Sequence, residues 1–362
     1  METVYINGKY VVQKTTGTQR VAGSIVTALD ELLGESSRPQ IQWILLCPYS
    51  ADLPKFTNIN VERVGSKSLP LNIWEQIVLP VRSRDKLLVS LSGSAPLNKS
   101  RQLCAIHDAA IFDCPDAYTR RFVLSRRFMV RQLMKSGSAI FTVSKFSQDR
   151  LAYWLDVPPT TLLLVPNGID HILAIESDNS TPYEIGIPNN KFLLSVASQN
   201  PTKNLRRLIK AFEEWPRSDM SLVLVGGKNT NVFSESYEER KDPRIISTGF
   251  VRDGQLKWLY EHAHAFVLPS IYEGFGLTPL EAMACGTPTA VSDIPAFREF
   301  CGDAALYFDP LETGSIRDAL EKIANSIELR CQLAERGRRQ AEKYLWSKSA
   351  FELLRCVESL IQ

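Results

Sequence analysis

Short apolar runs alternate along the chain with longer stretches whose apolar residues recur at helical spacing. In the first half these runs predict strands at Thr3–Asn7, Ile41–Cys47, Lys86–Leu91, Gln102–Ile106, Ala139–Val143 and Thr161–Val165. Helices fall between several of them, including Thr18–Leu33, where Val21, Ile25, Leu29 and Leu32 share a face, and Ser144–Leu155. After Val165 comes Pro166-Asn167-Gly168-Ile169-Asp170 and then a polar stretch of Ser, Asn, Pro and Gly reaching Asn190, which is the best domain boundary. The alternation restarts with strand Lys191–Val196, helix Asn204–Trp215, strand Ser221–Val225, helix Asp253–His262, strand His264–Pro269, helix Pro279–Cys285 and strand Pro288–Ser292. Strand and helix alternating in this way build a parallel sheet with helices on both faces. The fold class is therefore α/β, with two successive Rossmann-like, doubly wound domains enclosing a cleft. Ligands of such sheets sit beyond the carboxyl ends of the strands.

At 362 residues the chain exceeds what one hydrophobic core supports, which agrees with two domains. No stretch approaches the roughly 20 uninterrupted apolar residues of a membrane span, and the start lacks a secretory leader, so a cytoplasmic protein is expected. The seven cysteines are scattered and never form a Cys-x-x-Cys pair, against a disulfide framework or a structural zinc site. Net charge is only +2, but it is uneven: through Asp170 there are 20 basic and 14 acidic residues, and beyond it 22 and 26. Six basic residues and no acid fall between Arg120 and Lys135, interleaved with Phe122, Val123, Leu124, Phe128, Met129, Val130, Leu133 and Met134. A basic amphipathic helix of this kind suits an anionic membrane surface, although a core-facing helix with a solvated basic face has the same pattern.

Candidate chemistry concentrates at Pro269-Ser-Ile-Tyr-Glu-Gly-Phe-Gly-Leu-Thr-Pro-Leu-Glu281, where two carboxylates, Glu273 and Glu281, flank a turn carrying Gly274 and Gly276. The apolar run before it reads as a buried strand, and Thr278-Pro279-Leu280-Glu281 has helix-start chemistry. Backbone N–H groups at a helix N-terminus attract phosphate, and a carboxylate accepts from both hydroxyls of a diol, so the segment suits a sugar nucleotide. Thr278 and Glu281 are also spaced as a capping box with Pro279 at the first helical position, a reading that explains Glu281 alone.

With its continuation Thr289-Ala290-Val291-Ser292-Asp293-Ile294-Pro295, this segment resembles the retaining family-4 glycosyltransferases of GT-B fold, whose signature is a Glu, seven residues, then Glu. Ile106-His107-Asp108, Thr142-Val143-Ser144-Lys145-Phe146-Ser147, Pro166-Asn167-Gly168-Ile169-Asp170 and Pro201-Thr202-Lys203-Asn204-Leu205 resemble further family landmarks in the expected order, so the likeness covers essentially the whole chain. It implies an acceptor-binding domain at 1–170, a nucleotide-sugar-binding domain at 171–345 and a last helix, 346–362, crossing back to the first domain. It also implies that Glu273 contacts the donor sugar, Glu281 the ribose and Lys203 the diphosphate. The same resemblance implies that Gly274, Phe275, Gly276 and Leu277 line the donor, that main-chain groups around Val251 meet the nucleobase, that Gly17 lets backbone approach the donor, and that His107 lies at the donor sugar near the leaving bond. Many members carry an Arg six residues before the Lys, where this chain has Ala197; Arg20 is the candidate to replace it. Asp108 fits a turn cap as well as a ligand.

Gly226-Gly227-Lys228 lacks the full phosphate-loop spacing and reads as a tight turn. No Asp-x-Asp occurs and no His or Cys cluster has ligand spacing, so no metal and no cofactor are expected beyond the nucleotide sugar as co-substrate. The expectation is a retaining, metal-independent hexosyltransferase. It uses a nucleotide diphosphate sugar, with GDP-mannose favoured over UDP-hexoses and dTDP-rhamnose. Its acceptor is a lipid-linked saccharide in surface polysaccharide assembly, and it sits peripherally on the inner face of the cytoplasmic membrane. No nucleic-acid partner is expected. A nucleotide-sugar epimerase of the same architecture, or a catalytically silent sugar-nucleotide binding module, are the alternatives; neither would release nucleotide in an acceptor-dependent way.

Overall fold

The computed structural model of the protein describes residues 2–35, 41–187, 191–227 and 242–361. The chain divides into two compact units: unit 1 holds Met1–Ala109, Leu124–Gly168 and Leu345–Gln362, and unit 2 holds Ala110–Val123 and Ile169–Tyr344. Among the described residues of unit 1, seven strands form one parallel sheet: β1 (Glu2–Asn7), β2 (Ile41–Pro48), β3 (Asn60–Val64), β4 (Leu87–Ser90), β5 (Gln102–Ala105), β6 (Ala139–Thr142) and β7 (Leu163–Leu164), in the order β3-β2-β1-β4-β5-β6-β7. Val4 is paired with Trp43 on one side and Leu87 on the other, so β1 is central. Val4, Ile6, Leu45, Leu88, Val89 and Leu103 are fully buried, as strands covered on both faces require.

Among its described residues, unit 2 carries a six-stranded parallel sheet of β8 (Lys191–Val196), β9 (Met220–Val225), β10 (Ile245–Gly249), β11 (Ala265–Leu268), β12 (Thr289–Ser292) and β13 (Leu306–Phe308), in the order β10-β9-β8-β11-β12-β13. In each unit the strand order reverses beside its first strand, between β1 and β4 and between β8 and β11. Such a switch point splays the connections apart at the carboxyl ends and leaves room for a ligand there. After β8, the Leu205–Glu213 helix turns Leu205, Leu208, Ile209 and Phe212 to the core and Arg206 and Lys210 to solvent. Each of those burials contributes about 1.5–3 kcal/mol before the entropy cost.

The sequence reading does not anticipate β3, β10 and β13. All three are edge strands; exposed polar residues such as Asn60, Arg63 and Ser247 interrupt β3 and β10, and β13 is only three residues long. Residues 110–123, read as part of the first domain, belong to unit 2: Tyr272 Oη donates to Asp113 Oδ2 at 3.0 Å, and Asn200 Nδ2 to Tyr118 Oη at 3.4 Å. The Trp346–Ile361 helix packs on the Gly17–Gly34 helix within unit 1. Gly168 permits this, because a β-carbon there would collide with the backbone of Trp346, and Ser349 Oγ donates to the Pro166 carbonyl at 2.6 Å.

Arg120–Lys135 is one helix, but its six basic residues do not share a face. Arg126 turns inward, where its Nη1 donates to the Gly93 carbonyl at 2.8 Å, and burial pushes its pKa below the ordinary value. The opposite side, about 180° round at 3.6 residues per turn, exposes Arg121, Leu124, Phe128, Arg131 and Lys135. Leu124 and Phe128 are 69% and 58% exposed.

Candidate active site

Lys203 ends the short turn Pro201–Lys203 that follows β8. Asn200 Oδ1 accepts from the Thr202 N–H at 3.0 Å, and Asn204 then adopts a left-handed conformation (φ 55°) that starts the next helix. Asn204 Nδ2 donates to the carbonyls of Pro269 (3.0 Å) and Pro310 (2.8 Å), while the Thr202 carbonyl accepts from the Ile271 N–H at 2.8 Å. These bonds lash the loop after β8 to the loop after β11, across the switch point of unit 2.

At that junction Lys203 Nζ lies 2.7 Å from both carboxylate oxygens of Glu273, and Ser270 Oγ donates to Oε1 at 2.7 Å. The two side chains keep 23% and 13% of their exposure, so the pair is ordered by the loops yet still reached from solvent. A carboxylate able to accept sugar hydroxyls and an ammonium able to take phosphate therefore stand side by side. Gly274 and Phe275 are buried behind Glu273. The Phe275 ring packs on Phe300 at 4.0 Å and edge-on to Tyr344 at 5.8 Å, which leaves only its backbone for a ligand.

Gly276 follows with φ 155° and ψ 46°, a conformation L side chains rarely adopt, and it starts the Leu277–Ala284 helix with no side-chain cap. The first-turn N–H groups carry the positive end of the helix dipole. This start lies two residues before the one the capping box predicts, so Glu281 falls in the second turn and caps nothing. Instead its carboxylate accepts from Tyr260 Oη at 2.9 Å and lies 3.2 Å from His171 Nε2, with 6% of the side chain exposed. The structural explanation for Glu281 is thus a tertiary one.

Val251 is half-buried in the connection after β10. Phe250 beside it covers Gly227, where a β-carbon would collide with the ring; Gly226, at φ 137°, lies against the Ala197 carbonyl. Lys228, the third residue of that expected tight turn, lies outside the described residues. Ala197 donates its N–H to Val225 at 2.9 Å and offers no cation where the resemblance expects one. Gln199, in the same loop as Lys203, has a buried Oε1 without a hydrogen-bond partner.

His107, Gly17 and Arg20 belong to unit 1. His107 follows β5, and its Nε2 lies 3.1 Å from the Leu91 carbonyl, which can only accept, so Nε2 carries the proton. Burial pushes its pKa down to about 4, against the Leu91 bond, so the ring is neutral at pH 7 with Nδ1 an acceptor. Asp108 is half-buried after it. Gly17 is the exposed first residue of its helix, and the Arg20 N–H bonds the Thr16 carbonyl at 2.9 Å. Sequence reasoning misses Ser270, Asn204, Tyr260 and His171 as builders of the site. The available signal for His171 was its place directly after the Pro166–Asp170 landmark, in a chain with four histidines.

The family model of the glycosyl transferases group 1 matches residues 181–340, which contain Lys203, Tyr260, Glu273, Gly276 and Glu281. The chain is 29% identical over 280 residues to O-antigen chain mannosyltransferase B of Escherichia coli, covering 73% of this chain and 72% of that protein. It is 31% identical over 245 residues to O-antigen chain mannosyltransferase RfbU of Salmonella typhimurium, covering 66% of this chain and 65% of that protein. Among solved structures, sucrose-phosphate synthase from Thermosynechococcus elongatus superposes with a TM-score of 0.74 at 16% identity, covering 100% of this chain and 99% of that one. WaaG, a glycosyltransferase involved in lipopolysaccharide biosynthesis, does so at 0.67 and 17%, covering 96% and 98%. At those identities the structural likeness is one of fold, the two-domain GT-B architecture. Sequence, fold and the arrangement after β8 and β11 agree: the chain is a glycosyltransferase whose residues 181–340 match the glycosyl transferases group 1.

Proposed function

We propose that this protein transfers mannose from GDP-mannose to a lipid-linked saccharide during surface polysaccharide assembly, with retention of configuration and without a metal ion. The Lys203–Glu273 pair beside the uncapped helix start at Gly276 carries the reading. The sugar and pathway are those in the names of the O-antigen mannosyltransferases to which the chain is similar. Glu273 accepts hydrogen bonds from the donor sugar and Glu281 from the ribose. As the glycosyl bond breaks, negative charge grows on the diphosphate. Lys203, with three N–H donors of which Glu273 takes at most two, and the first-turn N–H groups at Leu277 stabilise that charge. His107, in unit 1, is neutral with its Nδ1 an acceptor.

The acceptor's lipid carrier places the enzyme at the inner face of the cytoplasmic membrane. Among the described residues no helix is long and apolar enough to span a membrane. The outward face of the Arg120–Lys135 helix, with Leu124 and Phe128 exposed between Arg121, Arg131 and Lys135, supports docking on anionic lipid. Incubation with GDP-mannose and lipid-linked saccharide extracts, followed by nucleotide release and product analysis, tests the reading. Acceptor-dependent GDP release supports it. Epimerised sugar nucleotide, or binding with no turnover, would replace it with one of the alternatives.

A further inference from the structure

The Glu281 carboxylate is held from two other helices. Tyr260, fully buried in the Asp253–His262 helix, donates to Oε2 at 2.9 Å, and His171, at the start of the short His171–Ala174 helix, reaches Oε1 at 3.2 Å. His171 is itself anchored: Lys257, four-fifths of a turn before Tyr260, donates Nζ to the Ile172 carbonyl at 2.9 Å, and the Asp178 N–H donates to the Gly254 carbonyl at 3.0 Å. The Asp253–His262 helix therefore holds both of Glu281's partners, one directly and one through the turn it supports.

A glutamate has three rotatable side-chain bonds, and a free carboxylate spends most of its time away from any one orientation. Two donors on different oxygens fix both the position and the plane of this one. Each carboxylate oxygen can accept about two hydrogen bonds, so one acceptor site on each oxygen is left for a further donor. A vicinal diol supplies two donors at that spacing. We propose that His171 and Tyr260 are positioning residues that hold Glu281 in register for the two ribose hydroxyls of the donor nucleotide. This rests on the assignment of Glu281 to the ribose made above.

The test compares binding of GDP and UDP with their 2′-deoxy forms, by calorimetry, in wild type, His171→Leu, His171→Gln and Tyr260→Phe. Wild type is expected to favour the better-bound ribonucleotide over its deoxy form by about tenfold, the effect of one hydrogen bond to a charged group. His171→Leu and Tyr260→Phe should bring that preference close to one while leaving affinity for the deoxy form unchanged. His171→Gln, which can place an N–H near the same point, should restore most of it. A purely structural role would weaken both forms together or neither. If wild type discriminates and His171→Leu discriminates equally, the positioning role is wrong while the ribose assignment stands. If wild type binds neither nucleotide, or binds ribo and deoxy forms alike, Glu281 is not the ribose ligand and both conclusions fall.

Discussion

Glu281→Gln separates the two explanations of this residue most sharply, because they differ in what the second oxygen does. As half of a capping box, Glu281 would accept from a backbone N–H, and Gln would serve as well at almost no cost. In the structure both oxygens are engaged, Oε2 accepting from Tyr260 Oη and Oε1 lying 3.2 Å from His171 Nε2, with the side chain only 6% exposed. Gln keeps one oxygen and replaces the other with an NH2 group, which points a donor at a donor. Either the tyrosine or the histidine then loses its acceptor inside the protein, and a buried donor left unpaired costs about 1–3 kcal/mol. Unit 2, Ala110–Val123 with Ile169–Tyr344, falls in the size range of a single large domain. For such a domain each kcal/mol lowers Tm by roughly 2–4 °C, so the variant should melt about 2–12 °C below wild type. Calorimetric melting of both proteins, with Tyr260→Phe as a partner variant, is the assay. Because the two substitutions disturb one network, their effects should be less than additive. A Glu281→Gln protein that melts with wild type would refute the network.

Lys203→Ala should remain folded but lose on the order of 10²–10³ in turnover, the effect of removing one preorganised contact to developing charge, while EDTA leaves wild-type turnover unchanged; steady-state kinetics with and without chelator check both. Replacing Arg121, Arg131 and Lys135 with Gln should weaken binding to anionic vesicles by about 3 kcal/mol, at about 1 kcal/mol per residue, or roughly 100-fold. Arg126→Gln should leave vesicle binding intact and instead lower Tm, since Arg126 holds the Gly93 carbonyl; cosedimentation and melting distinguish the two faces. For His107 the sign is fixed by its depressed pKa of about 4 against the ordinary 6.5. Between those values the unfolded chain binds the proton and the folded chain does not, so wild type loses stability as pH falls from about 6.5 to 4. His107→Gln should lose less over that window, as read from melting temperatures at pH 7 and pH 5.

The central strands were legible because parallel strands buried on both faces carry apolar runs, as at Phe192–Leu194 and Trp43–Cys47. Edge strands such as Asn60–Val64 were not, since one side meets solvent and the pattern dissolves. Lys203, Glu273 and Gly276 could be read from the sequence because each lies in a local strand-to-helix turn. Glu281's partners could not. His171 lies far away in sequence, and local spacing offered a capping box that the glycine at 276 pre-empts by starting the helix early. In the Arg120–Lys135 helix, Phe122, Val123, Met129, Val130, Leu133 and Met134 share one side with Arg126, so helical spacing already sets Arg126 on the buried face and Phe128 opposite it.

Product configuration tests the central claim most directly. With GDP-mannose, a lipid-linked acceptor and excess EDTA, the new linkage is read by NMR from its anomeric signals. Retention of the donor's configuration at undiminished rate, with GDP released only when acceptor is present, is the result expected if Lys203, Glu273 and the helix start at Gly276 perform the transfer. An inverted linkage, or turnover seen only after Mg²⁺ or Mn²⁺ is restored, would contradict it.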